Sequence, residues 1–193
     1  MRKKTPLQAE KILTAATRLF ARQRFHEVRM EDIAAAAEVG KGTLYRYFKD
    51  KEELYAALLD QAAEEMSLRL RQCAATPGEP RARLEAILAA YLQYFGDHPH
   101  LFDLIQRAEV LSRPNHEVRW YRTRQESIDL VRSILEEGQR AGVFRVEDAQ
   151  LSGWFLLGGM RAVLRFGKAA LGPDTPARLV NLFLGGAGRP PCS

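Results

Sequence analysis

Cysteine is scarce in this chain of 193 residues: Cys73 and Cys192 are the two present, so a disulfide framework is excluded and a reduced, cytoplasmic setting is expected. No Cys cluster forms a zinc ligand set. His98-Pro99-His100, with His116 further on, is a poor alternative, because the proline fixes awkward geometry and no thiol or carboxylate cluster completes it. Neither a metal nor a cofactor is expected. No uninterrupted apolar run reaches the roughly 18–20 residues of a membrane-spanning helix. The start, Met1-Arg2-Lys3-Lys4, leads into a charged segment without the apolar stretch of a secretory signal, so no membrane partner is expected. Strand patterning is nearly absent. Also missing are a phosphate loop, a dinucleotide fingerprint, a serine nucleophile elbow and a metal-binding His-Glu pattern. Glu136 and Glu137 are neighbours on a helix and diverge, so they cannot converge on one bond. These absences leave no candidate catalytic residue and argue against an enzyme.

What is present is ordinary globular composition, 46% hydrophobic and 27% charged, with length enough for a core without staples. The charge is unevenly placed. Residues 1–51 hold 12 Lys/Arg against 6 Asp/Glu, whereas the rest hold 17 against 18. A basic end on a nearly neutral body suits a head that binds a polyanion; a solvated basic face is the alternative.

Helical spacing dominates, and it predicts an all-α fold of about nine helices. Ile12, Ala16, Leu19 and Phe20 form one apolar face of a first helix that starts at Thr5-Pro6. A short second helix is expected over 31–37, with Ile33 and Ala37 inward. A turn at Glu38-Val39-Gly40 follows, and then a third helix over 41–48, anchored by Leu44 and Phe48. Asp50 caps a longer fourth helix whose stripe is Leu54, Leu58, Leu59, Ala62 and Met66. Thr76-Pro77-Gly78-Glu79-Pro80 is the strongest break. Further helices are expected at about 81–95, 98–111, 116–140, 147–167 and 175–185, with a poorly ordered tail.

The informative segment runs from Met30 to Lys51, MEDIAAAAEVGKGTLYRYFKDK. Two short helices joined by a tight turn make a helix-turn-helix, whose second helix enters the DNA major groove. Ala34 to Ala37 are small enough to let the helices cross closely, and Ile33, Val39, Leu44 and Phe48 bury the hinge. Gly40 and Gly42 permit close backbone approach to backbone or phosphate. Lys41, Thr43, Tyr45, Arg46 and Tyr47 remain outward, offering donors, stacking surfaces and charge to nucleic acid.

On Ile12 to Phe20, Asp32-Ile33-Ala34, Val39 and above all Lys41-Gly42-Thr43-Leu44-Tyr45-Arg46-Tyr47-Phe48-Lys49-Asp50-Lys51-Glu52-Glu53-Leu54, the chain resembles the tetracycline-repressor (TetR) family of bacterial transcription regulators. The resemblance is specific over about 6–66 and general beyond. It implies a three-helix DNA-binding domain over 6–66 and a helical ligand-binding and dimerisation domain over 67–187. Thr43, Tyr47 and Lys51 are then expected on phosphates, Tyr45 and Arg46 nearest the base edges, Lys41 at either, and Gly42 and Lys49 on the same surface. One of the two tyrosines packing on the first helix, and Lys49 being merely solvated, are the alternatives. Three positions depart from the family pattern. Arg29 stands where a Thr or Ser commonly caps the second helix, Glu38 where the turn usually has glycine, and Gly40 where a Ser is frequent.

The C-terminal two thirds carry more aromatic surface than a small core needs. Met66, Leu70, Tyr91, Tyr94, Phe95, Phe102, Gln106, Trp120, Arg124 and Trp154 are the candidates for an apolar effector pocket with a few polar groups; plain core packing is the alternative. Gly153, Gly158 and Gly159 weaken the helix over 151–166 unless a partner helix approaches there. With Leu179, Val180, Leu182, Phe183 and Leu184 they suit a four-helix interface between two copies, through about 147–185; burial of both helices within one subunit is the alternative.

The expectation is a ligand-responsive, homodimeric DNA-binding regulator. Most commonly such a protein is a repressor, released from a palindromic operator by a small apolar effector. A non-specific DNA-coating protein without effector is the competing class.

Overall fold

The computed structural model describes residues 5–99, 101–102, 105, 119–167 and 171–185. Among them the chain is all-helical, with eight helices and no strand: α1 Pro6–Phe20, α2 Met30–Ala36, α3 Lys41–Tyr47, α4 Lys51–Ala75, α5 Pro80–Asp97, α6 Arg119–Arg140, α7 Ala149–Phe166 and α8 Thr175–Gly185. The ninth expected helix, 98–111, lies largely outside the described residues, as do His100, Gln106, residues 112–118 and the tail beyond 185. No helix among the described residues is long and apolar enough to cross a membrane. Nor do those residues gather three or more His, Cys, Asp or Glu side chains that could hold a metal ion.

Local chemistry explains the helix ends. Pro6 opens α1 where its missing N–H costs nothing, although the Thr5 side chain makes no capping bond. Asp50 caps α4 by accepting from the Glu53 N–H at 2.8 Å, while the Glu53 carboxylate accepts from the Lys49 N–H at 2.7 Å. Arg29 cannot accept a hydrogen bond, so α2 keeps only the return half of a capping box: the Asp32 carboxylate accepts from the Arg29 N–H at 3.2 Å. Asp148 caps α7 through the Leu151 N–H at 2.9 Å.

Two compact units divide the chain, one within 1–63 and 98–120, the other within 64–97 and 121–193. In the first, α2 packs against α1 and α3. Ile12, Ile33, Leu44 and Leu54 are wholly inaccessible to solvent, and each such burial stabilises by about 1.5–3 kcal/mol. Ala34 and Ala37 are buried as expected, whereas Ala35 and Ala36 face out. In α1 the fourth buried residue is Ala15, and Leu19 is only half-buried. In the second unit, α5 packs against α7 and α8. The Arg83 guanidinium pairs with Glu137 at 2.6 Å and donates to the Ala74 carbonyl at 3.0 Å, tying α5 to α6 and to the end of α4. α6 ends on Gly142 at φ 71°, and the Phe144 ring then folds back so closely on Gly138 that a Cβ there would lie 2.1 Å from it.

The turn between α2 and α3 carries backbone strain. Glu38 adopts φ 56°, the left-handed region, while its N–H donates to the Ala35 carbonyl at 3.1 Å and the Val39 N–H to the Ala34 carbonyl at 3.0 Å. This is the Schellman arrangement that ordinarily takes glycine at this position. Glu38→Gly is therefore expected to stabilise the protein by about 1 kcal/mol, read as a higher urea midpoint at unchanged slope.

Candidate nucleic-acid interface

Seven residues of α3 divide into two faces. Leu44 and Tyr47, followed by Phe48, are buried against the unit. Lys41, Gly42 and Tyr45 are exposed, 41 and 45 at the four-residue spacing that puts side chains on one helical face, and Lys49 is exposed just beyond the end of the helix. A Cβ on Gly42 would meet no atom within 4 Å, which leaves the backbone open to close approach by a ligand. Thr43 is half-buried beside this face. Arg46 is also half-buried, its guanidinium lying over the Tyr47 ring with Cζ 5.7 Å from the centroid and its buried Nε without a hydrogen-bond partner among the described residues.

Two of the residues that the resemblance puts on phosphate have their polar atoms engaged inside the head. The Tyr47 hydroxyl accepts from the Thr5 N–H at 2.5 Å and lies 3.3 Å from both the Thr5 carbonyl and the Gln8 side-chain oxygen, either of which can accept its proton. It is 8% exposed, so the alternative of one tyrosine packing against the first helix describes Tyr47, and Tyr45 at 41% is the outward one. The Lys51 ammonium donates to the carbonyls of Phe25 at 2.7 Å and Val28 at 2.9 Å and stands 4.4 Å from the Phe25 ring centroid. It closes the connection between α1 and α2, where Phe25 also stacks with Phe20 and meets Tyr55 edge-on. Lys49 is fully outward, with Asp50 at 3.7 Å.

Lys41 has a partner that sequence spacing did not indicate. Its ammonium lies 2.5 Å from the carboxylate of Glu31 in the first turn of α2. The hydrogen bond from Lys41 holds the Glu31 carboxyl below the usual carboxylate range, and the same bond raises Lys41 above its own. Ten residues separate the pair, outside any helical periodicity, so only the crossing of α2 and α3 reveals it.

The candidate effector residues are only partly gathered. Met66, Leu70, Tyr91, Tyr94 and Phe95 are buried in the second unit, where Tyr91 and Tyr94 meet Phe95 edge-on with centroids 4.9 and 5.5 Å apart. Tyr94 donates to Glu65 at 3.2 Å beneath Arg69, and burial together with the Glu65 charge pushes its phenol well above the ordinary range. Phe102 is buried in the first unit. Arg124 is exposed, and so is Trp154 at 54%, which stands outside the buried stripe of α7 that includes Leu156, Leu157 and Met160. Neither is enclosed with the aromatic cluster. Gln106 and the side chain of Trp120 lie outside the described residues. A polar seam that sequence reading missed runs between α4 and α6, where buried Ser67 donates to Glu126 at 3.0 Å and Arg71 approaches the same carboxylate at 3.5 Å.

Residues 12–58 match the family model described as bacterial regulatory proteins of the tetR family, and residues 77–166 match the tetracyclin repressor-like C-terminal domain. The chain belongs to the TetR family. It is thus a DNA-binding transcriptional regulator. Similar curated TetR-type proteins include the uncharacterized regulator YhgD of Bacillus subtilis, 28% identical over 76% of this chain and 76% of that protein. The repressor NicS of Pseudomonas putida is 27% identical over 70% of this chain and 65% of its own length. Among solved structures, FadR from Bacillus subtilis in complex with stearoyl-CoA shares the fold at a TM-score of 0.75, with 20% identity over 93% of this chain and 99% of that one.

In this TetR-family head, Lys51→Met is expected to lower stability by about 1.5–3 kcal/mol, because two carbonyls lose a charged donor. Urea unfolding measures the loss. The salt dependence of binding to random duplex should stay unchanged, whereas a lysine on phosphate would lower that slope by about 1.

Proposed function

We propose that this TetR-family regulator acts in the cytoplasm as a homodimer. In this reading residues 6–66 seat α3 in the major groove of a palindromic operator, and residues 67–187 bind a small apolar effector that releases the DNA. The observation that carries the DNA surface is the two-faced α3: Lys41, Gly42, Tyr45 and Lys49 open to solvent, Leu44 and Phe48 sealed inward. Thr43 and Arg46 border that surface, and Tyr47 and Lys51 act as ties that keep its shape rather than as phosphate ligands. Tyr45 takes the base edges, supported by its exposure at the middle of the face.

Dimerisation is supported by the outer face of α7 and α8. Leu151, Trp154, Phe155, Phe166 and Leu182 are each more than half exposed, and an added Cβ on Gly158 or Gly159 would meet nothing within 4 Å. A face of large apolar groups beside uncovered helical glycines suits helices from a second copy. Gly153 differs: a Cβ there would lie 3.3 Å from the Ile128 carbonyl, so it serves close packing of α7 on α6 within one chain.

Repression is the direction proposed, in keeping with NicS, and the acyl ligand of FadR suggests long-chain acyl compounds as the first effectors to test. An effector that prefers the released form by about 1–3 kcal/mol lowers operator affinity by about 5- to 150-fold. Titration with stearoyl-CoA in the presence and absence of selected operator DNA tests the coupling; equal affinity in both would remove the switch.

Two variants separate the parts. Tyr45→Ala is expected to lose about 1–3 kcal/mol on the duplex selected from random sequences and much less on unselected duplex. Equal losses on both would point to a DNA-coating protein. Phe155→Glu is expected to yield monomers by analytical ultracentrifugation, with normal helicity by circular dichroism.

A further inference from the structure

We propose that Glu31 tunes the DNA affinity of the head: its carboxylate occupies the Lys41 ammonium in the free protein and must yield it before that ammonium can reach a phosphate. The inference rests on the DNA-contacting role of the exposed face of α3. Glu31 and Lys41 begin two successive helices, and their crossing sets carboxylate and ammonium 2.5 Å apart. Both side chains remain largely open to solvent, 49% and 64% exposed, so the bridge is a surface contact that an incoming anion can displace without unpacking anything. The neighbours are those of a binding surface. The field of Arg29 reaches Glu31, and Tyr45 lies close enough to Lys41 to feel its charge. Glu31 is thus an internal anion lodged among the groups that face the duplex.

Binding has two consequences for this carboxylate. Its partner leaves, and an uncompensated negative charge is left beside the phosphates. Both weaken every duplex alike, since phosphates carry no sequence information. The head therefore holds unspecific DNA less tightly than its cations alone would dictate, while base contacts by Tyr45 are untouched.

The test uses fluorescence anisotropy of a labelled random-sequence duplex with the wild type, Glu31→Gln, Lys41→Ala and the double variant, each checked for folding by its melting curve. Glu31→Gln is expected to tighten binding about two- to fivefold at low salt, with the gain shrinking as salt rises. Lys41→Ala should cost more in the Glu31→Gln background than in the wild type, because only there is the ammonium fully available. Glu31→Asp, which retracts the carboxylate by one methylene, should fall between wild type and Glu31→Gln. Unchanged affinity in Glu31→Gln, or an equal gain whether or not Lys41 is present, would overturn the proposal while leaving DNA binding intact. A wild type that binds neither random nor selected duplex would overturn the DNA-binding reading itself.

Discussion

The orientation of α3 depends on four residues of backbone between α2 and α3. At Glu38 the chain turns left-handed, and the N–H groups of Glu38 and Val39 reach back to the last open carbonyls of α2. Gly40 then returns to extended geometry, and its carbonyl receives the first N–H groups of α3, from Thr43 and Leu44. The turn is closed by backbone alone. Because an α-helix advances about 100° per residue, one residue more or fewer here would rotate Leu44 out of the core and bring Tyr45 toward it. The exposed face of α3 inherits its direction from this short reversal, even though a carboxylate-bearing residue occupies the strained position.

Much of the fold was legible because its signals are local. Pro6, Asp50, Pro80 and Gly142 mark helix ends through chemistry confined to one turn, and Ile33, Leu44, Leu54 and Leu58 declare their inward faces by spacing. The candidate site was harder to read for a physical reason. Residue type tells what a polar group can do, not where its hydrogen bonds are already committed. Tyr47 and Lys51 have the right chemistry for phosphate, yet their partners include backbone groups 42 and 23–26 residues away, brought close only by packing. The same holds for Glu31 beside Lys41. Arg29 is a milder case: the sequence showed that a side-chain cap was missing, and the structure shows Asp32 supplying half of the repair.

In the C-terminal unit the ambiguity lay between a pocket and a core, and between an interface and an interior. The aromatic residues divide: Tyr91, Tyr94 and Phe95 are sealed against one another, whereas Trp154 and Phe155 stand outside. The glycines of α7 divide in the same way, Gly153 pressed against α6 and Gly158 and Gly159 uncovered. Helical spacing alone does not separate these cases, because α7 is apolar on more than one side and both sides carry glycine.

The tie between Tyr47 and the start of α1 has an evolutionary consequence. Part of what Tyr47 receives at position 5 is a main-chain donor, which threonine shares with nearly every other residue. Nineteen of the twenty genetically encoded residues supply that donor, and one does not. Proline is welcome at position 6, where its ring opens the helix, yet the same residue one step earlier would silence the amide on which the tyrosine relies. Lineages descending from this sequence should therefore keep a main-chain donor at position 5, while the imino acid stays confined to its present register.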